Sequence, residues 1–338
     1  MLPRLYEKRK QACALQKDMH RALITGIAGF AGSHLAKDLV DHGWTVSGIE
    51  RHGAVLNNLA FLHDRVRVEE CDILSAQDVG YVIRKYQPDV VFHLAGTTFI
   101  PTAQNAPQMA FEINVKGSLN ILEETQENAP DSRMILVSSA EVYGDAAPEK
   151  MPLTENNRPS PVNIYALTKL CAEEITCYYH RVRGLDSVVL RPFNHIGRGQ
   201  RPSFVTSAFA LQIARIEAGQ QRPVLEVGNL ETARDFTDVR DMVRAYRLAA
   251  ERCRPATPYN ICSGKVYAIK DILDKLLSLT DAEIEIRPDP RRIRKNEIPL
   301  FQGDHARFTE ATGWEPTCAI EDTLRAILDY WRDHVKKG

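Results

Sequence analysis

No window of this sequence holds about eighteen consecutive apolar residues, so no segment reads as a membrane-spanning helix. Paired cysteines are missing too. The seven that occur (Cys13, Cys71, Cys171, Cys177, Cys253, Cys262, Cys318) are odd in number, scattered, and form no C-x-x-C pair. That argues against a disulfide framework and against a zinc site, so no metal is expected, and it fits a reducing cytoplasm. None lies beside a base in sequence, and none is expected to be a catalytic nucleophile. An excess of either charge is also absent: 43 Lys+Arg stand against 44 Asp+Glu, a formal net charge of -1. Nucleic-acid-binding proteins usually carry a basic excess. Nucleic acid is therefore not an expected partner, while a local groove for an anionic small molecule stays open. Repeats and low-complexity tracts are lacking. The first twenty residues are basic without the apolar core of a signal peptide. They read as a flexible extension over 1–20, with Met19 as an alternative start and a targeting or partner-binding arm as the competing reading.

What is present is ordinary globular composition, 44% hydrophobic and 26% charged over 338 residues, enough for one large domain or two lobes. From Arg21 short apolar runs alternate with amphipathic stretches. ALITG (22–26), TVSGI (45–49), VRVEECD (66–72), DVVFHLA (89–95) and RMILVSS (133–139) read as strands. Helices are expected over 34–43, near Ala76–Lys85 and along Met109–Glu127. Strands apolar throughout and separated by helices predict an α/β fold, a doubly wound parallel Rossmann sheet over 21–191. Beyond Pro192 Gly and Pro are frequent and strand-like pieces (224–228, 284–288) lie among helices. That predicts a smaller, interleaved second lobe over 192–338, with a cleft between the two.

Gly26, Gly29 and Gly32 follow the first strand and open the first helix, with Phe30 and Ala31 between the last two. Glycines there let a diphosphate approach the helix N-terminus, where free N–H groups and the dipole favour negative charge. The spacing is G-x-x-G-x-x-G rather than G-x-G-x-x-G, so the weight lies in the strand–loop–helix context. Glu50, ending the second strand, would hydrogen-bond the adenosine ribose of NAD; Arg51 beside it would receive the extra phosphate of NADP. The two signals conflict, and NAD(P)(H) is expected without a choice between them. Asp72-Ile73 is placed to meet the adenine edge, with a surface turn as the alternative for the aspartate. Leu94, Ala95 and Gly96 end the fourth strand with small residues that let a cofactor pass.

Tyr165 and Lys169 stand four apart in a helical segment and so share a face. An ammonium near a phenol favours the phenolate and lowers its pKa, which suits proton transfer at a carbonyl or alcohol oxygen. Ser139, at the carboxyl end of the preceding strand, is placed to hold the reacting oxygen beside Tyr165. Glu141 reads either as a base that removes a proton next to a carbonyl or as a hydrogen-bonding loop residue. His93 and His195 read as structural, since no metal-ligand spacing surrounds them.

From Arg21 to Trp331 the chain resembles the extended short-chain dehydrogenase/reductase family of nucleotide-sugar enzymes. RPFNHIGRGQ (191–200), VGNLETARDFTDVRD (227–241), YNICSG (259–264) and IRKNEIP (293–299) resemble the branch holding GDP-4-keto-6-deoxy-D-mannose reductases and GDP-mannose 4,6-dehydratases. FNHIG followed by GQ looks like the reductase pattern. Arg198 replaces a proline expected there. The resemblance implies that Asn194, Val205, Asn229, Arg234, Arg294 and Glu297 hold the nucleotide sugar, with arginines on the pyrophosphate. Without the family, Arg234 beside Asp235 reads as a surface ion pair.

The resemblance thus implies an NAD(P)H-dependent reductase that converts GDP-4-keto-6-deoxy-D-mannose to GDP-D-rhamnose. A 4,6-dehydratase or another nucleotide-sugar dehydratase or epimerase is the alternative, and a non-catalytic nucleotide-binding module the third reading. Ala140 stands where dehydratases carry a hydroxyl or acid, which weighs against dehydration. The family also pairs subunits through two long helices, so a homodimer is expected, with a tetramer as the larger alternative. Ile113, Leu119, Leu122, Leu170 and Tyr178 are the candidate contact residues.

Overall fold

The structure, a computed structural model, describes residues 21–292 and 298–337. The extension over 1–20, Arg294 and Glu297 lie outside the described residues. The strands are β1 (Arg21–Thr25), β2 (Thr45–Glu50), β3 (Val66–Glu70), β4 (Val90–His93), β5 (Arg133–Val137), β6 (Asp186–Pro192), β7 (Asn194–Ile196), β8 (Val224–Val227), β9 (Ala233–Asp238), β10 (Pro258–Ile261), β11 (Val266–Ala268), β12 (Glu285–Pro288) and β13 (Leu300–Phe301). Seven form one sheet in the order β10-β6-β5-β4-β1-β2-β3, with every neighbouring pair parallel. This is the doubly wound Rossmann-type sheet. Its order reverses at β1, and the crevice outside the carboxyl ends of β1 and β4 is where such sheets bind ligands.

β4 is buried along its whole length, and β1 and β5 are buried at four of five positions, as strands covered on both faces must be. The helices start where side chains can cap them. Ser75 accepts from Asp78 N, Asn163 from Ala166 N and Asp238 from Arg240 N, each satisfying an amide at a helix N-terminus.

One sheet face packs against the helices Phe30–Asp41 and Val239–Arg252 in a core that includes Trp44, Phe92, Tyr246 and Trp314. The other packs against Ala76–Tyr86 and Gly117–Asn128. The second half of the chain supplies β10 and the helix Val239–Arg252, so it is threaded into the first half rather than resting beside it. Its own core gathers Phe209, Ile213, Phe236, Leu273, Leu324 and Leu328 around β8, β9 and the helix Ile320–Lys337. No helix among the described residues is long and apolar enough to cross a membrane.

Two expectations are corrected. The stretch Met109–Glu127 is not one regular helix: Pro107–Phe111 and Gly117–Asn128 are α-helical, and Glu112–Lys116 between them is a π-helical turn. Four of the five candidate contact residues pack inward, wholly or in part. Leu122 is wholly buried in the core under the sheet, Ile113 and Leu119 pack against that core, and Leu170 packs against the cluster around Tyr143 and Phe193. Of the five, Tyr178 is exposed; Met109, Phe111, Leu167 and Val182 join it as exposed apolar side chains on the two helical segments. Sequence periodicity places an apolar residue on a helix but not the direction from which the sheet approaches.

Candidate active site

Where β1 ends, Gly26 takes a positive φ of 72° and donates its N–H to the Ile49 carbonyl at 2.9 Å. A Cβ on Gly32 would lie 2.2 Å from the Gly26 carbonyl oxygen, so only glycine allows the helix Phe30–Asp41 to start this close to the loop. Gly29 caps that helix with no side-chain hydrogen bond, and its first turn holds no acidic residue. Its N-terminal amides and dipole therefore face outward toward any anion. The cradle fits a dinucleotide diphosphate.

Glu50 closes β2, and its carboxylate accepts the Ala28 N–H at 2.6 Å. Burial pushes this carboxyl above its usual range, and the Ala28 amide and Arg51 charge oppose that rise. Arg51 is exposed beside it. Asn58, unassigned by the sequence reading, donates to the Ala28 carbonyl at 3.1 Å and so braces the same loop. Asp72 is exposed, and its Oδ1 accepts the Leu74 N–H at 2.9 Å, which is the surface-turn geometry. Ile73 beside it is buried.

Ser139, Tyr165 and Lys169 meet at the carboxyl end of β5, all nearly buried. Ser139 lies beside the Tyr165 phenol and acts on it, and Ser139 Oγ accepts the Glu141 N–H at 3.2 Å. Lys169 reaches across from the helix Ile164–Tyr178 and donates to the Val137 carbonyl at 2.8 Å. Burial pushes the Tyr165 phenol up to about 12, with the Glu141 charge adding to the rise. Burial also pulls Lys169 down to about 8, opposed by the Glu173 charge. The expected lowering of Tyr165 by Lys169 is therefore not seen. Desolvation dominates, opposed by Ser139 rather than by Lys169, and the phenol is a protonated donor at neutral pH. Glu141 is half-buried and accepts from Asn163 Nδ2 at 3.3 Å.

Asn114, which from sequence alone reads as an unremarkable helix residue, proves to tie the site's elements together. It sits in the π-helical turn, buried, and grips the backbone of Thr97 twice: Oδ1 accepts the Thr97 N–H at 2.7 Å and Nδ2 donates to the Thr97 carbonyl at 3.1 Å. Nδ2 also donates to Thr168 Oγ1 at 2.9 Å, tying the turn to the helix of Tyr165. A Cβ on Gly96 would meet Asn114 Oδ1 at 2.8 Å and Lys169 Nζ at 3.8 Å, so glycine is required where these groups converge. The signal available in sequence was the asparagine itself in an otherwise helix-forming run.

His93 bonds through Nδ1 to Thr25 Oγ1 at 2.7 Å and through Nε2 to Ser118 Oγ at 2.8 Å. Both ring nitrogens are engaged, and Thr25 Oγ1 in turn accepts the N–H groups of Leu94 and Ala95. His93 thus shapes the Leu94–Gly96 passage. His195 stacks on Phe30, ring centroids 5.8 Å apart and 7° from parallel, and His34 Nε2 donates to the Arg198 carbonyl at 2.9 Å. These contacts join the glycine loop to the second lobe.

In that lobe β7 pairs with β9, and Asn194 is exposed on β7. Val205 begins the helix Val205–Glu217, half-buried against the lobe's core. Asn229 Oδ1 accepts the Glu231 N–H at 3.0 Å, and Arg234, half-buried on β9, donates to the Ala233 carbonyl at 2.9 Å. Asp235 is not half of a surface pair. It is fully buried and accepts from Ser263 N, Ser263 Oγ and Gly264 N at 2.9, 2.6 and 2.9 Å. Its carboxylate anchors the Ser263–Gly264 loop.

The sequence profile of the family described as GDP-mannose 4,6 dehydratase matches residues 23–327. A GDP-6-deoxy-D-mannose reductase of Pseudomonas aeruginosa is 36% identical over 317 residues, 94% of this chain and 99% of that protein. A GDP-6-deoxy-D-talose 4-dehydrogenase of Aggregatibacter actinomycetemcomitans is 30% identical, covering 91% of this chain and 96% of its own. The solved structure of the Pseudomonas aeruginosa protein RMD complexed with NADPH is similar at a TM-score of 0.81 and 34% identity, covering 93% of this chain and 100% of that one.

Burial holds His93 neutral, pushed down to about 3 from the usual 6.5. Its folded value is depressed, so its stabilising preference for the neutral form is fully present above pH 6.5. It is lost as pH falls from there toward 3, at up to about 1.4 kcal/mol per unit. Urea unfolding at pH 7 and pH 5 checks this: wild type loses stability relative to His93→Gln as pH drops. A wild type–mutant difference independent of pH would refute it.

Proposed function

From the premise that the chain belongs to the GDP-mannose 4,6 dehydratase family, we propose that it is an NAD(P)H-dependent reductase of the C4 ketone of GDP-4-keto-6-deoxy-D-mannose, yielding GDP-D-rhamnose. The observation that carries the reading is a buried, protonated phenol, Tyr165, set beside the buried Ser139, with a buried, inert Ala140 next in the chain. Reduction needs a proton donor at the carbonyl oxygen and nothing more from the protein's acids and bases.

Gly26, Gly29, Phe30, Ala31 and Gly32 hold the dinucleotide diphosphate; Glu50 and Arg51 face the adenosine ribose; Asp72 and Ile73 flank the adenine; and Leu94, Ala95 and Gly96 line the passage to the nicotinamide. NAD(P)H bound there supplies the hydride for C4. Ser139 orients the ketone oxygen, Tyr165 gives it a proton, and Lys169 stabilises the phenolate left behind and holds the nicotinamide ribose. Asn194, Val205, Asn229 and Arg234 hold the GDP-sugar, with Arg294 and Glu297 assigned by resemblance. Support for the substrate comes from the 36% identical reductase, and for the cofactor from the RMD complex with NADPH. Unpaired thiols at Cys71, Cys253 and Cys262, among others, fit action in the cytoplasm.

The second reading is a 4,6-dehydratase. It is favoured by one observation: Glu141 lies near enough to Tyr165 for its charge to act on the phenol, where a C5 base would be needed. Against it, Ala140 offers nothing to help expel a 6-hydroxyl.

The apolar side chains exposed on the segments Pro107–Asn128 and Ile164–Arg183, Met109, Phe111, Leu167, Tyr178 and Val182, support a homodimer built as a four-helix interface. A dimeric mass at micromolar concentration is the expected result, and a monomeric mass contradicts it. Tyr165→Phe is expected to keep cofactor affinity and lose turnover by on the order of 10²–10⁴-fold; near-normal turnover removes Tyr165 from the chemistry. Glu141→Gln is expected to slow ketone reduction less than about tenfold, below a usual general-base contribution. Collapse of a wild-type GDP-mannose dehydration in that variant would favour the dehydratase.

A further inference from the structure

Beside the carboxyl end of β5 lies a buried ion pair that the chemistry above does not employ. Glu173, on the helix of Tyr165 and Lys169, is gripped by Arg191 of β6: Nη2 donates to Oε2 at 2.6 Å and Nε lies 3.1 Å from both carboxylate oxygens. Both side chains are under 10% exposed. The same carboxylate accepts a hydrogen bond from Ser138 Oγ. Arg191 also donates from Nη1 to Tyr143 Oη at 3.1 Å, and Tyr143 donates to Asn260 Oδ1 at 2.7 Å. Tyr143 closes the 3-10 turn Ala140–Tyr143 that Ser139 caps and that carries Glu141. One carboxylate thus ties the residue before Ser139, and through Arg191 the turn after it, to the helix of the catalytic pair.

Glu173 stands one helical turn beyond Lys169 and shares its face. The groups around Lys169 are Tyr165 and Glu173 from its own helix, neutral His93 from β4, uncharged Asn114 from the π-helical turn and the Val137 carbonyl from β5; Glu141 bears on Tyr165, and Arg191 is bound to Glu173. A buried ammonium needs a counter-charge, and in this set Glu173 is the anion whose field acts on it.

We propose that Glu173 is a positioning residue of the Tyr165–Lys169 centre: its carboxylate, held by Arg191, keeps Lys169 an ammonium ion and anchors Ser138 so that Ser139 meets the phenol. This rests on the function proposed above. Glu173→Gln leaves two buried cations facing no carboxylate and makes Lys169 easier to deprotonate. Arg191→Gln does the reverse, freeing the whole Glu173 charge to hold the proton.

The test is the pH dependence of kcat/KM for ketone reduction and of NAD(P)H affinity, the latter read by cofactor fluorescence. Glu173→Gln is expected to move the alkaline limb of both down by about one unit, and Arg191→Gln to move it up. A purely structural role would lower the plateau and the unfolding midpoint in both variants without shifting either limb in opposite directions. Limbs that coincide with wild type, or that shift the same way in both variants, overturn the proposal. Each variant has its own sign, so either one decides if the other does not fold. Wild-type cofactor binding and turnover test the reductase reading itself, while the shifts between variants test Glu173.

Discussion

Burying a lysine ammonium at the carboxyl end of β5 is the constraint around which this site is built. Lys169 has little water to solvate it, so its proton is held by the Val137 carbonyl and by the field of Glu173. Beside it stands Gly96, where a Cβ would crowd Asn114 Oδ1 at 2.8 Å. The backbone leading from Gly96 is fixed in turn by Asn114, whose two bonds to Thr97 are made from a π-helical turn. Such turns are rare and cluster at functional sites. Here the turn places an amide side chain between the β4 loop and the helix of Tyr165.

The interlocking of the two halves follows from the same need for rigidity. The second half gives the main sheet its edge strand β10 and covers one face with the helix Val239–Arg252. Buried carboxylates then fix the loops between the two halves. Asp235 binds Ser263 and Gly264, and Asp241 accepts from Thr317 and Cys318 at 2.8–2.9 Å. A carboxylate accepting several N–H and O–H donors is stable without water. The second lobe is thereby joined to the main sheet.

Five of the seven strands of the main sheet, β1 to β5, were legible because a doubly covered parallel strand is rich in apolar residues, as in VVFH and RMILV; β6 and β10, which enter the sheet from later in the chain, were not read as strands. The glycine loop was legible from its place between strand and helix. Ser139, Tyr165 and Lys169 could be singled out because their chemistry is unusual in combination. The rest depended on directions that spacing does not encode. Leu122 faces inward and Leu167 outward, though both are leucines on helices packed beside the sheet. Asp235 looks like a surface partner for Arg234 until β9 turns it into the core. Asn114 and Glu173 are helix-compatible polar residues whose importance lies entirely in what the fold brings to them. The Tyr165 phenol illustrates the same limit: a lysine four residues away suggests a lowered pKa, and burial reverses the sign.

The central claim, that this centre delivers hydride to a GDP-linked 4-keto sugar, is tested most directly by cofactor stoichiometry. Purified protein is mixed separately with GDP-mannose and with GDP-4-keto-6-deoxy-D-mannose, with and without NADH or NADPH. The account predicts one equivalent of reduced cofactor oxidised per equivalent of keto sugar consumed, and no conversion of GDP-mannose. Conversion of GDP-mannose to its 4-keto-6-deoxy derivative without added reduced cofactor, with the keto sugar left untouched, would contradict it.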